Sequence, residues 1–267
     1  MYTVVVTDLD GTLLDHHTYD FSPALPALER LRELAIPLVL NSSKTRAEIE
    51  LWRRRLGFPD PFISENGGAV FIPRDYFPLP APWSAVRGSY DVIEIGAPYA
   101  TLTSALREAA RESGCVVRAF HEISAEEVAG LCGLPVDEAR LAKAREYDEA
   151  FEILSHEGQA ELLAAISRRG FHWTRGGRFF HILGGSDKAR AVKFLRAAYS
   201  DHHPLVRIVG LGDALNDAEF LQAVDVPILI PSPQSDALLR AVPAGRMAPA
   251  PGPAGWNQAV LDLVAPG

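Results

Sequence analysis

The sequence predicts an α/β fold: a mainly parallel sheet wrapped by helices, interrupted by an inserted α+β unit. Three observations predict it. Short β-branched apolar runs alternate with amphipathic helical stretches at both ends of the chain, the pattern of a sheet buried on both faces. The middle of the chain carries a second alternation, punctuated by turn glycines. A proline-rich exit at Pro73, Pro78, Pro80 and Pro82 separates the two. They divide the chain into one unit at 1–83 plus 184–267 and an insert at 84–183.

Tyr2–Thr7 is a β-branched run stopped by an acidic, glycine-containing turn, which predicts a buried strand feeding a loop at the ligand-binding end of an open sheet. Ser22-Pro23 supplies a helix cap and a first-turn proline, and Leu25, Leu28, Leu31 and Leu34 recur at helical spacing before a strand over 36–40. A helix over 45–56, a strand at Phe62-Ile63, the turn Glu65-Asn66-Gly67-Gly68 and a strand over 69–72 complete the first half of the outer unit.

In the insert the patterns predict a strand over 92–95, a helix over 99–112, a strand over 115–120 and a helix opened by the capping box Ser124/Glu127. A helical stretch over 141–145, a strand over 151–154 and a helix over 161–169 closed by Gly170 follow. A hairpin then pairs 171–175 with 179–183 across Gly176-Gly177. The chain returns with a helix over 187–199, a strand over 205–211, the turn 212–216, a helix to Ala223, a strand over 226–230, an irregular Pro/Ala/Gly-rich loop over 243–255 and a terminal helix over 257–264.

With 267 residues, 48% hydrophobic and 22% charged, the chain can bury a sizeable core. A net charge of -8 and a pI near 5.5, without a long basic run, argue against a nucleic-acid partner. No apolar run approaches the roughly 20 residues that span a bilayer, and no basic stretch leads the N-terminus, so no membrane partner and a cytoplasmic location are expected. Cys115 and Cys132 make neither a disulfide framework nor a metal site, which suits reduced thiols.

Four segments carry candidate chemistry. Asp8-Leu9-Asp10-Gly11-Thr12 sets two carboxylates two residues apart straight after a buried strand; like charges that close call for a cation or a shared proton. One carboxylate beside a divalent cation can attack phosphorus while the other moves a proton, although a lone pair of this kind is often only a solvated turn. Asn41-Ser42-Ser43-Lys44-Thr45 follows the second strand, where a hydroxyl and helix N-terminal amides can cradle a phosphoryl group, or simply cap a helix. Gly212 to Asp217 follows a third strand and offers Asp213 and Asp217 as oxygen ligands for a hard cation. Lys188 stands in a helix first turn, where a cation is mildly disfavoured, so a structural role there is poorly motivated.

In this order the four segments resemble the four motifs of the haloacid dehalogenase superfamily, over nearly the whole chain. The resemblance implies a Rossmann-like core and an inserted α+β cap of the C2B type. It implies Asp8 as nucleophile, Asp10 as acid and base, Ser43 or Ser42 and Lys188 as phosphate ligands, and Mg2+ held by Asp8, Asp10, Asp213 and Asp217. An Asp two residues after the nucleophile resembles the phosphatase branch, and the position of the cap resembles the subgroup acting on sugar phosphates.

Within that subgroup, 41–46 (NSSKTR), 61–72 (PFISENGGAVFI), 141–151 (LAKAREYDEAF) and 173–181 (WTRGGRFFH) resemble the mannosyl-3-phosphoglycerate phosphatase family. Ala214-Leu215 and Ala150 depart from that family's pattern without removing a catalytic group. The implied substrate is a small phosphorylated sugar-glycerate and the product a compatible solute. Its expected contacts are Ser42, Lys44, Glu65, Asn66, Gly67, Arg145, Glu146, Arg175, Gly176, Gly177, Arg178, His181 and Asn216. Glucosyl-3-phosphoglycerate, a sucrose-phosphate-like substrate, a phosphomannomutase reaction and a non-catalytic sensor are the alternatives, and a homodimer is left open.

Overall fold

The structure, a computed structural model, describes residues 1–78, 83–155, 157–176 and 179–265. Pro80, Pro82, Gly177 and Arg178 of the expectations above lie outside the described residues. The first half runs β1 (Tyr2–Thr7), a short 3-10 turn at Ser22–Ala24, α1 (Leu25–Glu33), β2 (Leu38–Asn41), α2 (Arg46–Leu56), β3 (Phe62–Ser64) and β4 (Ala69–Pro73). Next come β5 (Ala85–Arg87), β6 (Tyr90–Glu94), α3 (Tyr99–Ser113), β7 (Val117–Ala119), α4 (Ala125–Cys132), α5 (Val136–Ala142), β8 (Asp148–Ile153), α6 (Gln159–Arg168), β9 (His172–Gly176) and β10 (Phe179–Leu183). The chain closes with α7 (Lys188–Ser200), β11 (Val206–Gly212), α8 (Ala218–Gln222), β12 (Val226–Leu229), α9 (Ser235–Ala241), β13 (Arg246–Met247) and α10 (Gly252–Val264).

Among the described residues the large sheet has the order β13-β12-β11-β1-β2-β3-β4-β6-β5, parallel from β13 to β3 and antiparallel beyond. β1 is β-branched throughout its centre because both of its faces are covered. Val5 packs with Leu28, Leu31 and Trp256 on one side, and Val4 and Val6 pack with Ala191, Leu195 and Leu238 on the other. Since β11, β1 and β2 are neighbours, the three loops at their carboxyl ends lie side by side, which is where an open α/β sheet binds ligands. Trp256 on α10 ties the arrangement from below, donating its indole N–H to Thr7 Oγ1 (3.0 Å).

The second sheet, β7-β8-β10-β9, is antiparallel. One face packs on α3 and α6 through Phe151, Phe180, Leu106, Leu162 and Ile166. The opposite face carries Ala150, which packs with Phe120, Val128 and Ala139, and looks towards the large-sheet unit. No helix among the described residues is long and apolar enough to cross a membrane.

Several expectations change: Ser22 opens the 3-10 turn and caps no helix, α1 beginning at Leu25, and the stretch expected to be helical over 141–145 holds only the end of α5. β5 and β6 hydrogen-bond onto the edge of the large sheet, although the insert was expected to begin at residue 84. Ala97 N donates to Gly184 O (2.6 Å) where the two crossing strands of chain meet, and we propose 96–184 as the insert. The loop expected over 243–255 contains β13, and α10 begins at Gly252 with Pro253 in its first turn. α9 was not expected: its seven residues bury only Leu238, too little periodicity to read.

Candidate active site

The β1 carboxyl end delivers Asp8 as a buried residue, 7% exposed. Lys188, the first residue of α7, reaches up to it: Nζ donates to Asp8 Oδ1 (2.8 Å) and to Asp217 Oδ1 (2.7 Å). Asp187 caps that helix by accepting from Ala189 N (2.6 Å), which fixes where Lys188 starts. Asp213, after β11, accepts from Thr12 Oγ1 (2.9 Å), and Asp217 Oδ2 accepts from the amides of Asp213 (3.2 Å) and Ala214 (3.3 Å). Gly11 has to be glycine: its φ is +82°, and a Cβ there would stand 2.6 Å from Asp213 Oδ2.

Asp10 turns the other way. Its Oδ2 pairs with Lys44 Nζ (2.9 Å), whose ammonium also lies 4.9 Å over the Tyr19 ring, and its Oδ1 is buried with no hydrogen-bond partner among the described residues.

Carboxylate oxygens of Asp8, Asp213 and Asp217 can lie within 4.8 Å of one another. Burial pushes the Asp8 carboxyl well above its usual range; Lys188 opposes this, while Asp217, Asp213 and Asp10 add to it. Burial and Asp217 push Asp213 up to about 7. Burial disfavours the Lys188 charge, yet Asp217 and Asp8 outweigh it and hold the ammonium above its ordinary value. The cluster thus carries more negative charge than its lysine neutralises, and its oxygen donors suit a hard divalent cation.

A cleft of about 950 Å³ opens between the two units over this cluster. Asp8, Asp10, Asp213, Asn216, Ser43 and Lys44 line its floor, and Arg145, His181, Phe120, Ala150 and Phe179 line the insert's side. Lys188 and Asp217 lie beneath the floor, 4% and 1% exposed. Ser42 is buried, and its Oγ accepts from Lys44 N (3.3 Å).

The structure moves several expected contacts away from the cleft. Arg175 pairs in register with Phe180 and its guanidinium lies 5.2 Å over that ring, so strand alternation puts it on the helix-covered face; Thr174, paired with His181, is on the cleft side. Gly176, paired with Phe179, ends the same strand. Glu146 pairs with Arg46 (2.7 Å) instead of facing the cleft. Glu65, Asn66 and Gly67 are packed behind the floor, in contacts with the rest of the fold described below.

Arg145 does reach the cleft, but its guanidinium is committed: Nε donates to Asp148 Oδ1 (2.5 Å) and Nη2 donates to the Ser43 carbonyl (2.9 Å). His181 Nδ1 donates to Asp148 Oδ2 (2.9 Å), which leaves Nε2 as its remaining polar atom. Sequence reading missed Asp148, and also His16, His17 and Tyr19, which line the cleft from the loop after Asp10. The signal was present: a histidine pair within ten residues of the candidate nucleophile.

Residues 5–77 match the family model described as haloacid dehalogenase-like hydrolase. The chain is 41% identical over 269 residues to a glucosyl-3-phosphoglycerate/mannosyl-3-phosphoglycerate phosphatase of Methanococcoides burtonii, covering 99% of this chain and 98% of that one. It is 38% identical to a protein of the same description from Persephonella marina, covering 98% and 97%. A haloacid dehalogenase-like hydrolase from Bacteroides thetaiotaomicron has the same fold, with a TM-score of 0.66 at 17% identity over 98% of this chain and 100% of that one. The two full-length relatives, with the fold and the four motifs, mean that the chain belongs to the haloacid dehalogenase-like hydrolase family, in the branch whose curated relatives are phosphatases.

Proposed function

We propose that the protein is a Mg2+-dependent phosphatase that hydrolyses mannosyl-3-phosphoglycerate, and glucosyl-3-phosphoglycerate with it, through an aspartyl-phosphate on Asp8. The observation that carries the chemistry is the pairing of Asp8 with Lys188 and of Asp10 with Lys44: two carboxylates two residues apart, each held by its own lysine. The substrate reading rests on the full-length relatives.

Asp8, Asp213 and Asp217 would hold the metal, with the main-chain oxygen of Asp10. Bound there, Mg2+ neutralises carboxylate and phosphoryl charge as a Lewis acid. Lys188 fixes Asp8 Oδ1, which leaves the other oxygen to attack phosphorus. The P–O bond to the glycerate carbon chain breaks, and Asp10 gives its proton to the departing oxygen. Asp10, now a base, takes a proton from water as that water attacks phosphorus. The acyl–phosphate bond breaks, phosphate leaves and Asp8 returns to its carboxylate. A serine of the Ser42–Ser43 pair and Lys188 bind phosphoryl oxygens.

On the cap side the edge-to-face pair Phe120 and Phe179 (centroids 5.0 Å apart) offers an apolar wall for a sugar ring, and His181 Nε2 offers a polar atom for a hydroxyl. Of the cap contacts expected above, Arg175 lies on the helix-covered face and carries no role here, Gly176 stands beside Phe179, and Gly177 and Arg178 lie outside the described residues.

The test is phosphate release with magnesium from mannosyl-3-phosphoglycerate, glucosyl-3-phosphoglycerate, sucrose-6-phosphate, mannose-6-phosphate, 3-phosphoglycerate and p-nitrophenyl phosphate. The expected result is a clear preference for the two glycosyl-phosphoglycerates. Equal rates across the panel would reduce the reading to a generic phosphatase, and no release from any ester would overturn it.

A further inference from the structure

The turn after β3 makes a conformation that L-residues avoid. Glu65, Asn66 and Gly67 are consecutive left-handed residues, with φ of 48°, 56° and 86°. Each non-glycine in that region costs on the order of 1 kcal/mol, so the surrounding contacts must hold the turn in place. Those contacts reach four separate parts of the molecule.

Towards the phosphoryl loop, Glu65 N donates to Lys44 O (3.0 Å) and Asn66 N donates to Ser42 O (3.1 Å). Towards the catalytic lysine, Gly67 lies so close that a Cβ would stand 2.2 Å from the Asp187 carbonyl carbon and 2.5 Å from Lys188 N. Towards the chain entering the cap, Gly68 O accepts from Ile95 N (2.9 Å) and Gly96 N (2.8 Å).

The fourth contact is to the cap itself. The Glu65 side chain, 0% exposed, accepts from the backbone amides of Glu146 (3.0 Å), Tyr147 (2.7 Å) and Asp148 (2.8 Å). Asn66 Nδ2 donates to Asp148 Oδ2 (2.9 Å). Three successive amides gathered on one carboxyl group fix the backbone that carries Arg145 on one side and Asp148 on the other. Arg145 then meets the Ser43 carbonyl, and Asp148 meets His181.

We propose that Glu65 is a positioning residue: by holding the amides of 146–148 it sets the cap's recognition groups, Arg145 and the Asp148–His181 pair, in register with the phosphoryl loop. It touches no substrate, and its effect passes through the cap. The proposal rests on the function proposed above, and deepens it by separating recognition of the leaving group from phosphoryl transfer. A small aryl phosphate that makes little use of the cap should therefore be indifferent to Glu65.

The experiment compares kcat and KM of the wild type and of Glu65→Gln for the ester the wild type turns over best and for p-nitrophenyl phosphate, with the melting transition as a control for folding. A glutamine keeps the shape but offers one acceptor oxygen and adds an N–H that faces other N–H groups. The expected result is a fall of about tenfold or more in kcat/KM for the preferred ester. p-Nitrophenyl phosphate should change by no more than about threefold, since the contacts it lacks cannot be lost.

If Glu65→Gln does not fold, Asn66→Gly removes the bond to Asp148 while keeping the left-handed backbone, and it should shift the same ratio by about threefold to tenfold. An unchanged ratio between the two esters, whether both fall together or neither falls, overturns the proposal. A wild type without any ester preference overturns both this inference and the proposed function; a wild-type preference kept intact in the variants overturns this inference alone.

Discussion

The acidic pocket and the cap junction are built from the same kinds of residue and differ in what meets their acids. In the pocket, the only cations paired with Asp8, Asp10, Asp213 and Asp217 among the described residues are Lys188 and Lys44, and burial together with the neighbouring acids pushes Asp8 and Asp213 up. At the junction the two acids differ. Asp148, met by Arg145, His181 and Asn66 together, lies below its ordinary value because Arg145 and His181 outweigh burial. Burial and Asp148 push Glu65 up to about 8 against the opposing pull of Arg145 and the backbone amides. Both regions are buried, so burial alone does not mark a reactive place. What marks it is charge left over where the cleft can reach it: Asp8 and Asp213 line the cleft, whereas Glu65 is fully buried against the amides of 146–148.

The largest expected effect breaks the pocket. Asp8→Asn removes the nucleophile and should lower turnover of any ester by roughly 10³-fold or more. It also relieves like-charge repulsion, so the melting temperature should hold or rise. Residual activity above a hundredth of wild type, measured as phosphate release, would remove Asp8 from that role.

The next effect breaks the junction. Asp148→Asn leaves Arg145 buried beside a neutral amide and should cost about 3 kcal/mol in urea unfolding near neutral pH. The sign with pH follows from the lowered carboxyl. A depressed native value contributes stability that is complete above the unfolded value, 3.8, and is lost as pH falls through the native one. The gap between wild type and variant should stay constant above about pH 5 and close below about pH 4. A gap that does not narrow in acid would mean that Asp148 is not the charged partner of Arg145.

A smaller effect sharpens the contrast from the pocket's side. Magnesium at a hundred times its Kd should stabilise the wild type by about 2.7 kcal/mol in thermal unfolding, with EDTA reversing the shift. Asp213→Asn should lose most of that gain, and Asp148→Asn, at the junction, should keep it. An unaltered wild-type transition would show that the acidic triad does not hold the ion.

Much of the pocket was legible because each of its groups follows a buried parallel strand or opens a helix. Asp8, Ser43, Lys188 and Asp213 are found by local pattern; the parallel order of β11, β1 and β2 brings Asp8, Ser43 and Asp213 side by side, and α7 delivers Lys188 to them. The junction was not legible. Glu65 looks like part of a tight turn, and its partners lie 81 to 83 residues away in sequence. Arg175 illustrates the limit of residue-type reasoning: an arginine beside a glycine turn suggests anion binding, but one step of strand register decides which face it takes.

By itself the sequence determined the α/β class, the alternation of elements and the family, and it singled out the acidic segments that the fold brings to one cleft, since these depend on periodicity and on motifs a few residues long. Only the tertiary structure decided which side chains of the insert face the cleft, that Arg145 serves Ser43 and Asp148, and that Glu65 binds backbone amides. Strand register and long-range hydrogen bonds are set by how whole elements pack, and no local pattern carries that information.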